Sequence, residues 1–223
     1  MTPRAQRAGR RADALSKARI VAAAIEVLDI DGEAALTFRA LTARLATGVG
    51  AIYWHVANKD ELLAAAADDV ITRALPAGVD GVPPREAIRA IASGVFDAID
   101  AHPWVGTQLS REPWQAAVLQ VLEGIGGQLR VLGVPAHVQF DAATALVSYV
   151  LGLAGQYAAG ARLLAPDVDR SAFLGTVAAR WTQLDPDRFP FVHEMARQLP
   201  GHDDRAQFLA GVDLFLAGIA AAR

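Results

Sequence analysis

The sequence predicts an all-α protein, with an N-terminal three-helix, helix-turn-helix head followed by a larger all-helical body. Three observations carry this. Apolar residues recur at three- and four-residue spacing through almost every long segment. Strand signals are nearly absent, because no alternating Val/Ile/Thr run is bounded by a hairpin turn. One Pro/Gly-rich stretch, "PAGVDGVPP" from Pro76 to Pro84, separates a short helical set from a longer one.

The elements follow in order. Residues 1–14 form a basic arm and residues 15–75 the head. Ser16 starts a helix to Leu28, with Ile20, Ala24, Val27 and Leu28 on one face, and Gly32 supplies a left-handed stop. Thr37 caps a short helix through Leu45, in which Leu41 and Leu45 face inward. "ATG" makes a tight turn, and a second short helix is expected from Val49 to Val56. Asn58, with Glu61 three residues on, gives a capping-box-like start to a helix reaching Leu75. After the linker, 76–84, the body spans 85–223, with helices expected at 85–101, 114–132, 136–161 and 169–181. A loop "QLDPDRFP", a short helix near Val192 and a last helix from Asp204 to Ala221 complete it.

Composition limits the function classes. At 223 residues and 53% hydrophobic content the chain can bury a sizeable core. It has no cysteine, which excludes disulfides and thiolate metal sites and suits a cytoplasmic location. The start, "MTPRAQRAGRRADALSKAR", lacks the apolar stretch of a secretory signal. Ala142 to Ala161 is uncharged and about long enough to span a bilayer. Its Ala/Gly content, with Ser148 and Gln156 inside, points instead to a buried helix and no membrane partner. The net charge of −3 is unevenly placed: residues 1–60 carry nine basic against six acidic groups, and the rest twelve against eighteen. A basic end on an acidic body is expected when only one part meets a polyanion; an ordinary solvated tail is the alternative.

"GVGAIYWHVANKDELL", Gly48 to Leu63, places three ring-bearing side chains in a row at the second short helix. Ile52 and Val56, four apart, would pack on Leu41 and Leu45, turning Tyr53, Trp54 and His55 outward about 100° apart. In a helix-turn-helix the second short helix enters a major groove. There a phenol and an imidazole can bond phosphate oxygens, while ring edges meet sugars and thymine methyls.

These residues resemble the tetracycline-repressor (TetR) family of bacterial transcriptional regulators. The matching stretch runs from Leu36 to Leu63, with the pattern Ile52-Tyr53-Trp54-His55-Val56, Asn58-Lys59 and Leu62-Leu63; "LDPDRFPFV" and "FLAGVDLFLAGI" match the family's ligand-binding domain more weakly. The resemblance implies a regulator that is not an enzyme, most often a repressor released from a palindromic double-stranded operator by a small-molecule effector. It implies Thr37 and Lys59 as phosphate contacts, Arg39 as a side chain reaching bases or backbone, and Tyr53, Trp54 and His55 on the groove-facing helix. The physics of a helix N-terminus with a lysine beside it agrees. Where relatives place polar residues at the start of that helix, this chain has Gly48, Val49, Gly50 and Ala51, so direct base readout is expected to be sparse. Arg7, Arg10 and Arg11 could add contacts as a flexible arm, or be a solvated tail.

The body is expected, by the same resemblance, to form a homodimer and hold the effector. Asp141 to Ala161 and the last helix, through Val212, Phe215, Leu216 and Ile219, are the expected interface, with intramolecular core as the alternative. The pocket candidates are Trp104, Gln108, Trp114, Phe140, Tyr149, Gln156, Tyr157 and Trp181, rings and amides of the kind that line ligand cavities. No cofactor and no metal is expected; His102 and His137 lack the supporting carboxylate spacing. "GVGAI" follows a helix rather than a strand and lacks a third glycine, and "HEMAR" lacks the second zinc-binding histidine. An all-α enzyme using His102, His137 or Asp141, and a helical interaction module, stay as alternatives. Salt-dependent binding to duplex DNA separates both from a regulator.

Overall fold

The computed structural model describes residues 15–78, 81–162 and 169–221, and is helical in every regular element described. The expected basic arm, with Arg7, Arg10 and Arg11, lies outside the described residues. The head begins with α1, Lys17–Ile30, whose N-cap Ser16 accepts a hydrogen bond from Arg19 N and whose buried face carries Ile20, Ala24, Val27 and Leu28. Gly32 follows with φ +78°, in the region an L-residue avoids, and turns the chain into a single 3-10 turn, Glu33–Ala35. Helix α2, Phe38–Leu45, starts at Thr37, whose hydroxyl accepts from Ala40 N at 3.1 Å.

The turn of the helix-turn-helix is made by Ala46 with φ +49°, a left-handed alanine. Helix α3 is Val49–Tyr53 only, three residues shorter than the sequence suggests. The next cap is the reason. Asn58 is fully extended (φ −155°, ψ 177°) so that its side chain can accept from Glu61 N, and the chain must leave helical geometry before it. His55 N and Val56 N both still bond Ile52 O, so Trp54 and His55 stand in a turn rather than on the helix. Helix α4, Lys59–Ala74, closes the head against α1 and continues to the body, packing on α5, α6 and α7.

The body comprises α5 (Pro84–Ala101), α6 (Pro103–Arg111), α7 (Ala116–Val131), α8 (Ala136–Arg162), α9 (Arg170–Trp181), α10 (Pro190–Met195) and α11 (Asp204–Ala221). Helix α6 is absent from the sequence reading, which began the next helix at Trp114. Its signal was a proline at the first helical position, Pro103, followed by buried Trp104, Val105, Gln108 and Leu109 at helical spacing. Helix α8 is long and apolar enough, by length and composition, to cross a membrane. Here it packs on α5, α6, α7 and α11. The buried residues of head and body form one continuous cluster. At the crossing of α4 and α5 the backbones touch: a Cβ on Gly94 would stand 2.2 Å from Ala74 O.

Two expectations about side chains change. Val212, Leu216 and Ile219 are buried in the chain's own core, because their three- and four-residue spacing forms the face of α11 turned to α5 and α8. The opposite face presents Leu214, 75% exposed, while half-buried Phe215 sits at the edge of the core with its ring 5.2 Å from that of Tyr149. Trp114 and Phe140, proposed above for a ligand cavity, are 82% and 73% exposed and so cannot enclose a ligand within the chain.

Candidate nucleic-acid interface

Three apolar side chains set the geometry of the head. Leu41, Ile52 and Val56 are essentially inaccessible and pin α3 across α2; burial of each such side chain contributes about 1.5–3 kcal/mol. With Ile52 facing inward, its neighbours in sequence face out. Tyr53 is 55% exposed and Trp54 89%, while His55 is half-buried. Tyr53 is not loose: its ring meets Phe38 edge-on, centroids 4.8 Å apart, which ties α3 to the start of α2. Val49, Gly50 and Ala51 open α3, with Val49 half exposed.

The polar groups surround this face. Thr37 and Arg39 are exposed at the start of α2, where the Thr37 hydroxyl is the helix cap. Arg44 pairs with Glu26 through both Nε and Nη2, holding α2 on α1. Lys59, the first residue of α4, sends its Nζ 2.7 Å to the Glu33 carbonyl. An ammonium has three donors, so this bond anchors the lysine and leaves two donors for an anion. Asn58 and Glu61 cap the start of α4 between them: Glu61 Oε2 accepts from Ala57 N at 2.8 Å, and Glu61 also pairs with Lys17. The Ala57 amide, then Lys17, holds the Glu61 carboxyl below its ordinary range. The result is a head with an apolar, ring-bearing ridge at α3, exposed Thr37 and Arg39 flanking the Phe38 ring that Tyr53 meets, and Lys59 at the start of α4.

A family model described as "Bacterial regulatory proteins, tetR family" matches residues 20–66, which is this head. The transcriptional regulator SCO7222, a TetR from Streptomyces coelicolor, is 50% identical to the chain. The match covers 93% of this chain and 99% of that one, with a TM-score of 0.84. The chain belongs to the TetR family. As a TetR regulator it has the DNA-binding helix-turn-helix in α2 and α3 and an all-helical C-terminal body. An HTH-type transcriptional regulator of Saccharopolyspora erythraea is 28% identical over 93% of this chain and 85% of its own length. BioQ of Mycobacterium smegmatis is 28% identical, covering 93% of this chain and 99% of BioQ, with a TM-score of 0.67. BioQ has also been solved with its double-stranded DNA operator.

In this TetR chain the expected pocket residues do not converge. Trp104 is 4% exposed and donates its indole N–H to Asp29 in the head, at 2.7 Å. Tyr149 donates to Phe208 O and stacks on the Phe208 ring, and Tyr157 donates to Gln207 Oε1. Burial pushes both phenols up, Tyr157 to about 12 with Asp204 adding to it. Gln156 is exposed. Trp181 borders a cavity of about 450 Å³ with Phe191, Val192, Met195, Leu199 and polar Gln198, His202 and Gln207, and Phe140 borders a separate open one of about 330 Å³ with Leu122, Arg130 and Gln139. Gln108 is 4% exposed on the inner face of α6, beside Trp104, Val105 and Leu109. Sequence reasoning missed most of the lining of the Trp181 cavity because α10 and the 3-10 turn Leu199–Gly201 are brought to α9 only by the tertiary fold.

Proposed function

We propose that this TetR regulator acts as a cytoplasmic homodimeric repressor that a small-molecule effector releases from a palindromic operator, and that it is not an enzyme. The exposed Tyr53–Trp54 ridge on a head whose interior is fully packed is the observation that carries this reading. Large rings left in water on a packed head are explained by a surface that covers them, and a ridge on the head that carries Arg39 and Lys59 fits a groove between phosphates. Thr37, Arg39 and Lys59 then hold the backbone, while Val49, Gly50, Ala51, Tyr53, Trp54 and His55 face the bases. The operator complex of BioQ, which shares the fold, supports this use of the head.

Two further features support the rest. An open, mostly apolar groove of about 510 Å³ between α8 and α11 is lined by Val138, Ala142, Leu214, Phe215, Gly218 and Ile219 with Asp141 at its side, which suits a symmetric helix–helix contact. One head contacts few bases, and pairing doubles the number. For the effector, the cavity beside Trp181 is the candidate anchoring site, and it uses neither Trp114 nor Phe140. Release requires that the effector bind the non-operator form more tightly, since equal binding shifts nothing. Against catalysis stands the engagement of His102 with Asp29, outside any cavity described here.

Selection of bound fragments from genomic DNA, followed by titration of the selected duplex, tests the function. Tyr53→Ala is expected to lose affinity and Trp114→Ala, in the body, to keep it. The reverse order, or failure to select any duplex, refutes the reading.

A further inference from the structure

The head is fastened to the body at two places. One is α4, a continuous helix that packs on α1 in the head and on α5, α6 and α7 in the body. Its apolar face joins the continuous core of head and body, so the angle of the head about the α4 axis is set by what lies to the side of it. The second fastening lies where the end of α1 meets the corner between α5 and α6. There Asp29 Oδ1 accepts from Trp104 Nε1 at 2.7 Å and faces His102 Nδ1 at 2.8 Å. With the carboxylate ionised, Nδ1 carries the proton and both rings donate to one oxygen. A few residues on, Glu33 takes Arg111 Nη1 on both carboxylate oxygens, at 2.8 and 2.7 Å, and its carbonyl takes Lys59 Nζ. The two ends of α6 are therefore bonded to the same short segment of the head.

The chemistry distinguishes these bonds. Arg111 is half exposed and Glu33 about one-third exposed, so their ion pair is screened mainly from the arginine side and is the weaker tie. Asp29 and His102 are about 70% covered and Trp104 almost wholly so, which makes the Asp29 bonds the stiffer tie. Asp29 also gains nothing locally: a carboxylate in the last turn of α1 faces the negative end of the helix dipole. Its partners all belong to the body.

We propose that Asp29 is a positioning residue that, through Trp104 and His102, fixes the angle of the head on the body and so sets the operator half-site spacing that the dimer accepts. Resting on the regulator reading above, this assigns a spacing role to a residue that touches no DNA. One added base pair moves a half-site by about 3.4 Å and turns it about 35° around the duplex. A fixed head rejects that change, whereas a head without the Asp29 bonds, held by α4 and the screened Glu33–Arg111 pair, follows it more readily.

The experiment uses the full-length protein and the selected duplex, with versions carrying one base pair more or fewer between half-sites. Wild type is expected to bind the native spacing at least about tenfold more tightly than either altered one, a difference of about 1.4 kcal/mol. Asp29→Ala is expected to bring that ratio within about threefold, with helix content, dimerisation and affinity for random-sequence DNA unchanged. Asp29→Asn keeps one acceptor oxygen for Trp104 and is expected to retain most of the discrimination. If Asp29→Ala does not fold, Trp104→Phe combined with His102→Phe removes both donors while keeping the rings, and must relax the ratio in the same way. A wild-type protein without spacing preference, or variants that keep the full ratio, overturns the proposal. A wild-type protein that binds no duplex at all refutes instead the regulator function.

Discussion

Tyr53 keeps one edge of its ring on Phe38 and still leaves 55% of the residue in solvent, so it can serve both packing and recognition. Removing it by Tyr53→Ala is expected to cost about 1–2 kcal/mol of operator affinity, near tenfold in Kd, with a smaller loss of stability from the edge-on pair. Titration of the operator with the variant measures the first and urea unfolding the second. Tyr157 is at the opposite extreme. Burial, then Asp204, raises its phenol to about 12, so the folded protein holds that proton more tightly than the unfolded chain, whose tyrosine ionises near 10.0. The stability this gives is whole below pH 10 and is lost as pH rises from about 10 towards 12. Unfolding midpoints followed through that window are expected to fall more steeply for wild type than for Tyr157→Phe, and equal slopes would remove Tyr157 as the cause. The outward placement of Tyr53 and Trp54 was legible in the sequence, because the spacing of Ile52 and Val56 governs it. The sequence could not show that Trp104 serves Asp29, since those residues meet only in the tertiary fold.

Among the elements, the caps were the most legible. Ser16, Thr37 and Asn58 each start a helix where their hydrogen-bonding side chains allow it, and each accepts from the amide three residues on. Helix α3 was misjudged because the period of Ile52 and Val56 continues into a turn that the extended Asn58 enforces. Helix α6 was missed because nine residues are too few for periodicity to stand out beside the prolines and glycines around them. The turn between α2 and α3 holds Ala46 in the left-handed region, which costs an L-residue about 1–2 kcal/mol. Ala46→Gly relieves that strain at some entropic cost and is expected to raise stability by up to about 1 kcal/mol, read as a higher urea midpoint. A lowered midpoint would show that Ala46 is not strained. Gly94→Val should do the reverse, because its side chain would have to displace the Ala74 carbonyl where α4 crosses α5. Loss of about 2 kcal/mol or more in urea unfolding is expected, and an unchanged midpoint would mean the two helices separate freely.

At the scale of the whole molecule, the head presents an uncharged ridge at α3, while head and body each carry a small excess of acidic groups and the basic excess lies in residues 1–14. Fold class and family motif were legible in the sequence, as helical spacing and a local motif are properties of neighbouring residues. The groove proposed for pairing lies on the two helices the sequence points to, though Val212 and Leu216 belong to the chain's own core. The cavity beside Trp181 was not legible, because it forms only where α9, α10 and the 3-10 turn come together. The affinity for the selected operator as a function of salt tests the central claim, that this head binds duplex DNA through its phosphates, most directly. Each neutralised phosphate contributes a slope of about −0.9 in log affinity against log salt, so Arg39 and Lys59 on both heads of a dimer give about −3.6. Lys59→Ala is expected to flatten the slope by nearly two such contacts, one per head. A steep slope that Lys59→Ala reduces bears the claim out; affinity indifferent to salt, in wild type and variant alike, contradicts it.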